Sequence, residues 1–146
     1  TAYGEEKSIT TEQLLSFDYF GNTIYVHPED NILYTPWGPP NIETGASSMG
    51  YGIGNTIEIS NNTTYSAAQI CSDLEAFGHT DWYLPANDEL AELYENKEQW
   101  NNFYQPYYWS STEVSASEAR AIDFENGNSV VQEKNIQRGC RCVRRN

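Results

Sequence analysis

The three cysteines constrain this chain more than any other feature. Cys71 lies at mid-chain, and Cys140 and Cys142 lie two residues apart near the end. No CxxC and no Cys/His cluster of zinc-site spacing occurs, so a structural zinc site is not expected. Two cysteines so spaced on one strand share a face and are badly placed to bond to each other. One of them is therefore expected to pair with Cys71. Such a bond closes a loop of about 70 residues, which the chain-entropy model credits with roughly 4 kcal/mol. One thiol is left over. Cysteine usage of this kind favours an oxidising, extracellular setting.

A chain of 146 residues is long enough for one domain with a real core. The expectation is a single domain over 1–146, with 1–20 an N-terminal extension or a connection to a longer parent. Aromatic residues make up 14 %, which argues against disorder. Mean hydropathy is −0.68, and no apolar run reaches the length of a membrane span. No charged leader or apolar signal core opens the sequence, so any export signal is expected to have been removed or to lie upstream. The net charge is −13. Such a surface repels nucleic acid, sulfated polysaccharide and anionic lipid. The charge is uneven. Residues 1–119 carry eighteen acids against Lys7 and Lys97, whereas 120–146 carry six bases against three acids. These late bases either pair with the acidic surface or give the C-terminal segment its own contact chemistry.

Hydrophobic periodicity predicts a short helix at 11–17 and strands at 23–26 and 32–35, joined as a hairpin through Asp30 and Asn31. Residues 36–64, rich in Pro and Gly, read as a long irregular excursion. Ile57 and Ile59 suggest a short strand within it. Residues 66–77 read as the best helix, capped by Ser66 and stopped by Gly78. A second helix is expected at 87–98, with Asn87 as its cap. From 107 the pattern is strand and turn. It comprises an aromatic strand at 107–109, a strand at 119–124, a hairpin turn at Asn126-Gly127, a strand at 129–133 and a terminal strand at 139–144. Helices and strands are segregated, which indicates an α+β fold.

Several short motifs then occur in a particular order. Asp81-Trp82-Tyr83-Leu84-Pro85 leads into Asn87-Asp88-Glu89-Leu90. Tyr108-Trp109-Ser110-Ser111-Thr112-Glu113 follows, then Ala119, Phe124 and Gly127, and finally Arg141-Cys142-Val143-Arg144. Upstream, Trp37-Gly38, Thr44-Gly45-Ala46 and Gly52-Ile53-Gly54-Asn55-Thr56 fit the same pattern. Over residues 20–145 the chain resembles the domain family of the Legionella collagen-like adhesin C-terminus. The resemblance implies a C-type-lectin-like fold, with two helices packed on a small antiparallel sheet and long irregular loops. It also implies a disulfide between Cys71 and Cys142, with Cys140 as a buried free thiol. Relatives on fibre tips form trimers, so the resemblance allows a homotrimer.

The aromatic residues of these motifs read as core, so function has to come from a surface site. In C-type-lectin-like domains ligands meet the late strands and loops. Here those would be 113–118, 125–133 and 135–138. The candidate ligand-binding residues are Val114, Ser115, Ser117, Glu118, Arg120, Asn126, Asn128, Val130, Gln132, Asn135, Ile136, Gln137 and Arg138. Val114, Val130, Val131 and Ile136 would suit a protein-contacting patch, rimmed by Arg120, Lys134 and Arg138. Residues 109–144 are also similar to the variable region of proteins diversified by retroelements, in which surface positions of this stretch, Val131 among them here, vary on a constant framework.

The expected function is non-catalytic recognition of a cell-surface protein or neutral glycan. The module would serve an adhesin, surface fibre or phage tip, in an extracellular, cell-surface or virion-surface location. No nucleic-acid partner, membrane insertion, metal or cofactor is expected. One alternative is an enzyme like the formylglycine-generating enzymes of the same fold. Cys140 and Cys142 match its cysteine pair poorly, and His27 and His79 read as loop residues. Another is calcium-dependent sugar binding, for which the Glu-Pro-Asn and Trp-Asn-Asp tripeptides are missing from the sequence.

Overall fold

The computed structural model describes residues 14–99 and 102–146. Strands β1 (Ser16–Tyr19), β2 (Asn22–Val26) and β8 (Val143–Arg145) form one sheet in the order β1-β2-β8. Strands β3 (Ile32–Thr35), β4 (Tyr107–Glu113), β5 (Glu118–Asp123), β6 (Ser129–Glu133) and β7 (Arg138–Cys140) form a second, ordered β3-β7-β4-β5-β6. Pairing is antiparallel except between β4 and β7, where Tyr108 lies opposite Gly139 in parallel. Among the described residues three helices, α1 (Gly52–Asn62), α2 (Ala67–Ser72) and α3 (Asn87–Glu95), complete an α+β fold.

The larger sheet separates two cores by strand alternation. Trp109, Ala119 and Ala121 point to one side, where they meet Ile59 of α1, Ala67 and Cys71 of α2, and Trp37, Trp82 and Leu84. Tyr108 and Ile122 point to the other, against Leu90 and Leu93 of α3 and Ile24, Val26 and Val143 of the smaller sheet. Trp109 lies in register with Ala121, and the small partner leaves the indole its space. Both central indoles find acceptors. Trp109 donates to Thr35 O at 2.8 Å, and Trp37 donates to Ser110 O at 2.8 Å.

Several elements depart from the sequence expectation. Residues 11–13 of the expected first helix lie outside the described residues, and the rest of that stretch leads into β1. Phe20 and Gly21, at φ 47° and 85°, make the two-residue turn that pairs β1 with β2. β2 is thus covered on both edges, by β1 and β8, and β3 joins the other sheet beside β7. The expected hairpin through Asp30 and Asn31 does not form. Ile57 and Ile59 belong to a helix, α1, in which Gly52, Asn55, Thr56 and Ile59 recur with helical spacing on the buried side. Tertiary contact overrides the β-branched composition here: Glu89 Oε1 accepts from Gly52 N–H at 2.8 Å. A Cβ on residue 52 would meet that oxygen at 2.6 Å, so only glycine lets α1 start there.

The helix expected over 66–77 is α2 alone, ending at Ser72. Its Ser66 cap is as expected, accepting from Gln69 N at 3.0 Å. Beyond it Phe77 and Gly78 take positive φ, and Ala76 pairs back with His79. Leu74 and Phe77 therefore reach the core from a turn. The helix expected over 87–98 is α3, followed by a 3₁₀ turn at Lys97–Gln99. Its N-cap is Ala86, not Asn87, and Glu89 accepts from Ala86 N–H at 2.9 Å. The terminal strand expected over 139–144 is two strands in two sheets, with the change of sheet at Arg141 and Cys142.

Cys71 and Cys142 are disulfide-bonded, and Cys140 is a buried free thiol. The Cys140 sulfur lies 3.6 Å from that of Cys71. Burial pushes its pKa up to about 12, so it stays protonated. Around this staple, late bases are neutralised internally. The Arg141 guanidinium is fully buried and binds Asp30 Oδ1 at 2.6 Å through Nη2, with further bonds to His27 O and Asn102 O. Arg145 binds Glu89 at 2.6 Å, and Arg144 binds Asp81 at 2.7 Å. Lys134, expected on the rim of a surface patch, is fully buried. Glu113, expected in an exposed segment, is buried as its partner at 2.7 Å. The reason is a closed set of bonds: the Glu113 carboxylate also accepts from Thr44 N–H and Gly45 N–H, and Lys134 donates to Ile42 O. Burial acts to raise the Glu113 pKa. The Lys134 ammonium and the two N–H groups outweigh it and hold the carboxyl below its ordinary range.

Two measurements test this frame. Replacing Cys71 and Cys142 together by alanine is expected to cost up to about 4 kcal/mol in denaturant unfolding, and native-state alkylation of the unmodified protein should label no thiol until it is unfolded. Glu113→Gln should cost about 3–5 kcal/mol at neutral pH, because it leaves the Lys134 charge buried and unpaired. Since the Glu113 pKa is depressed in the fold, its contribution is present above the unfolded carboxylate value near pH ~4 and is lost as pH falls through the folded value. The variant should therefore show a shallower acid limb in stability against pH.

Candidate functional site

The late loops grow out of the frame just described. β4 ends on Glu113, and the chain turns through 114–117 into β5. Val114 N–H and Ser115 N–H both donate to Glu118 O, and Ser115 Oγ accepts from Glu118 N–H at 3.1 Å. The second loop, 134–137, sits at the same end of the sheet, because Lys134 N–H donates to Ser117 O at 2.9 Å. The buried Glu113–Lys134 pair lies beneath both. Above it Val114, Ser117, Asn135 and Gln137 are exposed, and Ser115, Glu118 and Ile136 are half-buried.

The turn at the opposite end of β5 holds Asn126 and Asn128, both exposed. Gly127 takes φ 82°, and Asn128 N–H donates to Asn126 Oδ1 at 2.9 Å. The strand length separates these two asparagines from the 114–117 and 134–137 loops.

Register divides the remaining candidates between two faces of the sheet. Arg120 pairs with Val131, and Ala121 with Val130. Val130 and Gln132 therefore share the face of Trp109, Ala119 and Ala121, whereas Arg120 and Val131 share the face of Ile122, toward α3. Arg120 donates to Ser129 Oγ at 3.3 Å, and Ser129 in turn donates to Asn87 Oδ1 on α3 at 2.6 Å. Val130 is half-buried and packs against the first core, so it is less available than its sequence context suggests. Val131 is 45 % exposed.

On the Trp109 face one cluster is drawn together. The Arg138 guanidinium lies 4.6 Å from the centroid of the Tyr107 ring, and its Nε donates to Gln132 Oε1 at 2.6 Å. A guanidinium over a ring is held by cation–π attraction, which here orients three partly exposed side chains. Tyr107 belongs to this surface, although the sequence reading gave it only as the first residue of an aromatic strand. The alternation in Tyr107-Tyr108-Trp109 carries the signal: Tyr108 is buried on one side, and Tyr107, at the end of the strand, stands beyond the Trp109 core.

Other chemistry is tied up elsewhere. Burial lowers the His27 pKa, and its ring packs at 5.6 Å from Phe77 and 5.5 Å from Trp82. Cys71, Cys140 and Cys142 bring their sulfurs within 4.8 Å of one another, with two of the three joined as the disulfide. Cavities of about 430 and 300 Å³ open on either side of Tyr104, and residues 114–118 and 135–138 line neither. No helix among the described residues is long and apolar enough to cross a membrane.

A search of curated proteins finds no match to the chain. The family model of the Lcl C-terminal domain matches residues 37–144. That span contains every candidate surface residue, both cysteines of the disulfide and the Glu113–Lys134 pair. It is most of the sequence, and its motifs are those that resemble the collagen-like adhesin C-terminus. The chain belongs to the Lcl C-terminal domain family.

Proposed function

We propose that this is a non-catalytic recognition domain with a C-type-lectin-like fold, which presents its late loops to a cell-surface protein or neutral glycan. One observation carries the reading: the last forty residues divide into internal frame and outward display. Glu113, Lys134, Arg141 and Cys142 are consumed in buried bonds. Between them Val114, Ser117, Asn126, Asn128, Asn135 and Gln137 are exposed. A frame that spends its strongest interactions inside tolerates change at the positions between. This division also suits a retroelement-diversified variable protein, whose surface positions change on a constant core. The domain would work at a cell or virion surface, in keeping with an adhesin-associated family and a disulfide. The cysteine pair that an enzyme of the formylglycine-generating type would use is split between a disulfide and a buried thiol held near pKa 12.

The experiment is a screen against arrays of neutral glycans and surface proteins, repeated with Arg138→Glu and Ile136→Asp. Each substitution should weaken binding by about tenfold or more while the melting temperature holds. If both variants bind like the unmodified protein, the site is not on this face. Chelation of calcium is expected to leave both melting temperature and binding unchanged, and a drop in either would favour a calcium-dependent lectin.

A further inference from the structure

A second surface lies on the far edge of the larger sheet, and the display loops do not use it. Among the described residues β3 is an edge strand, paired only with β7 and with a register irregularity between Ile32 and Thr35. Its Ile32, Leu33 and Tyr34 are 37, 48 and 62 % exposed, and Tyr104 beside them is 75 % exposed. Leu33 and Tyr104 line the same cavity of about 300 Å³. The segment that carries Tyr104 is anchored on both sides. Asn102 O accepts from the buried Arg141 at 2.8 Å, the Asn102 side chain binds Pro28 O, and Gln105 N–H donates to Tyr108 Oη at 3.2 Å. The ring is thus held out in solvent by fixed neighbours.

Proteins usually blunt an edge of this kind with charge, proline or a covering segment, because an apolar edge invites strand pairing. Here the centre is apolar and aromatic, and the charge stands at the rim. Glu29 lines the Leu33–Tyr104 cavity, and Glu98 lines the next one along with Asn102 and Phe103. Neither carboxylate has a cationic partner among the described residues. Lys97, which also lines the second cavity, directs its ammonium to Phe124 O at 2.8 Å and over the Tyr94 ring. Asp30 is already neutralised by Arg141.

We propose that the β3 edge and Tyr104 form a docking strip for an extended peptide segment of a partner protein, in which an apolar run is flanked by basic residues. Such a segment adds as a strand to β3, sets its apolar side chains against Leu33, Tyr34 and Tyr104, and brings its bases to Glu29 and Glu98. An apolar centre with a charged rim is the usual composition of a protein contact. A second copy of this chain fits poorly, since an isologous contact would set Glu29 and a net charge of −13 against the same.

The test is fluorescence anisotropy at physiological salt with a short synthetic valine–lysine peptide, a valine run flanked by lysines. A valine–glutamate peptide and a backbone N-methylated valine–lysine peptide serve as controls. The lysine peptide should bind saturably at one site, and the two controls should not. Leu33→Lys and Glu29→Lys should each weaken binding about tenfold, and Tyr104→Ala by a similar factor. Ile136→Asp, on the display loops, should leave it unchanged. All four positions are at the surface, and an unshifted melting temperature confirms that each variant is folded. Three results would overturn the proposal: no saturable binding, equal binding by Leu33→Lys (diffuse attraction to an acidic protein), or occupation of the strip by a neutral oligosaccharide or a second copy instead.

Discussion

The passage from Arg141 to Cys142 is the constraint on which the rest of the molecule depends. Within two residues the chain leaves the five-stranded sheet and enters the three-stranded one. Such a crossing exposes backbone groups that neither sheet can satisfy alone. Asn31 resolves part of this, since its Oδ1 accepts from Cys142 N–H at 2.7 Å and its N–H donates to Cys140 O at 2.9 Å. The Arg141 guanidinium then fills the gap between the sheets and finds carboxylate, carbonyl and ring partners in it. A buried guanidinium is costly unless every N–H is met, so Asp30, Asn102 and Phe103 are placed by its demand. The disulfide ties the same point to α2. Two sheets and a helix are thereby locked to one dipeptide, and the loops on either side inherit fixed starting points.

What was legible in the sequence follows from the range over which each signal acts. Asn126-Gly127 announced its hairpin because that turn is closed by bonds within the short stretch from Asp123 to Asn128. Ser66 announced its helix for the same reason. The disulfide was legible through the family motifs, but the order of the late strands was not, since β7 returns to lie parallel beside β4 instead of following β6. The places where the reading failed are decided from a distance. α1 looks like a strand until Glu89, 37 positions away, supplies the acceptor for Gly52 N–H. Asp30 and Asn31 look like a hairpin turn until Arg141 and Cys142 arrive to claim both side chains. The break after Cys140 has no local mark, because nothing in Gly139-Cys140-Arg141-Cys142-Val143 forbids a continuous strand. It is set by which sheet edge is still open when β8 pairs with β2.

The candidate surface was legible to a similar depth. The loops were placed correctly as loops, and residues 135–138 are not buried as a unit. The two faces of β5 and β6 could have been separated by alternation, which sends Arg120 and Gln132 opposite ways. Lys134 could not have been recognised as internal from its neighbours, since Asn135, Gln137 and Arg138 share its polar character. A lysine and a glutamate 21 positions apart identify each other only in three dimensions.

The burial of those charges bears on what the surface can bind. Of the two readings of the six late bases, pairing with the acidic surface holds for four, since Lys134, Arg141, Arg144 and Arg145 are each matched to a carboxylate. Arg120 and Arg138 remain, one bound to Ser129 and the other to Gln132 and Tyr107. They stand on opposite faces of the sheet and cannot converge on one anion. The field around the display loops is then that of the whole chain, which is acidic. On the proposed function, a ligand at these loops would meet amides, hydroxyls and valines under a negative potential. Shape and neutral hydrogen bonding would then supply its specificity, and a polyanion would be repelled before contact. On the two proposals the same field would draw cations toward the β3 edge, so the surfaces would discriminate by different physics although one sheet carries both.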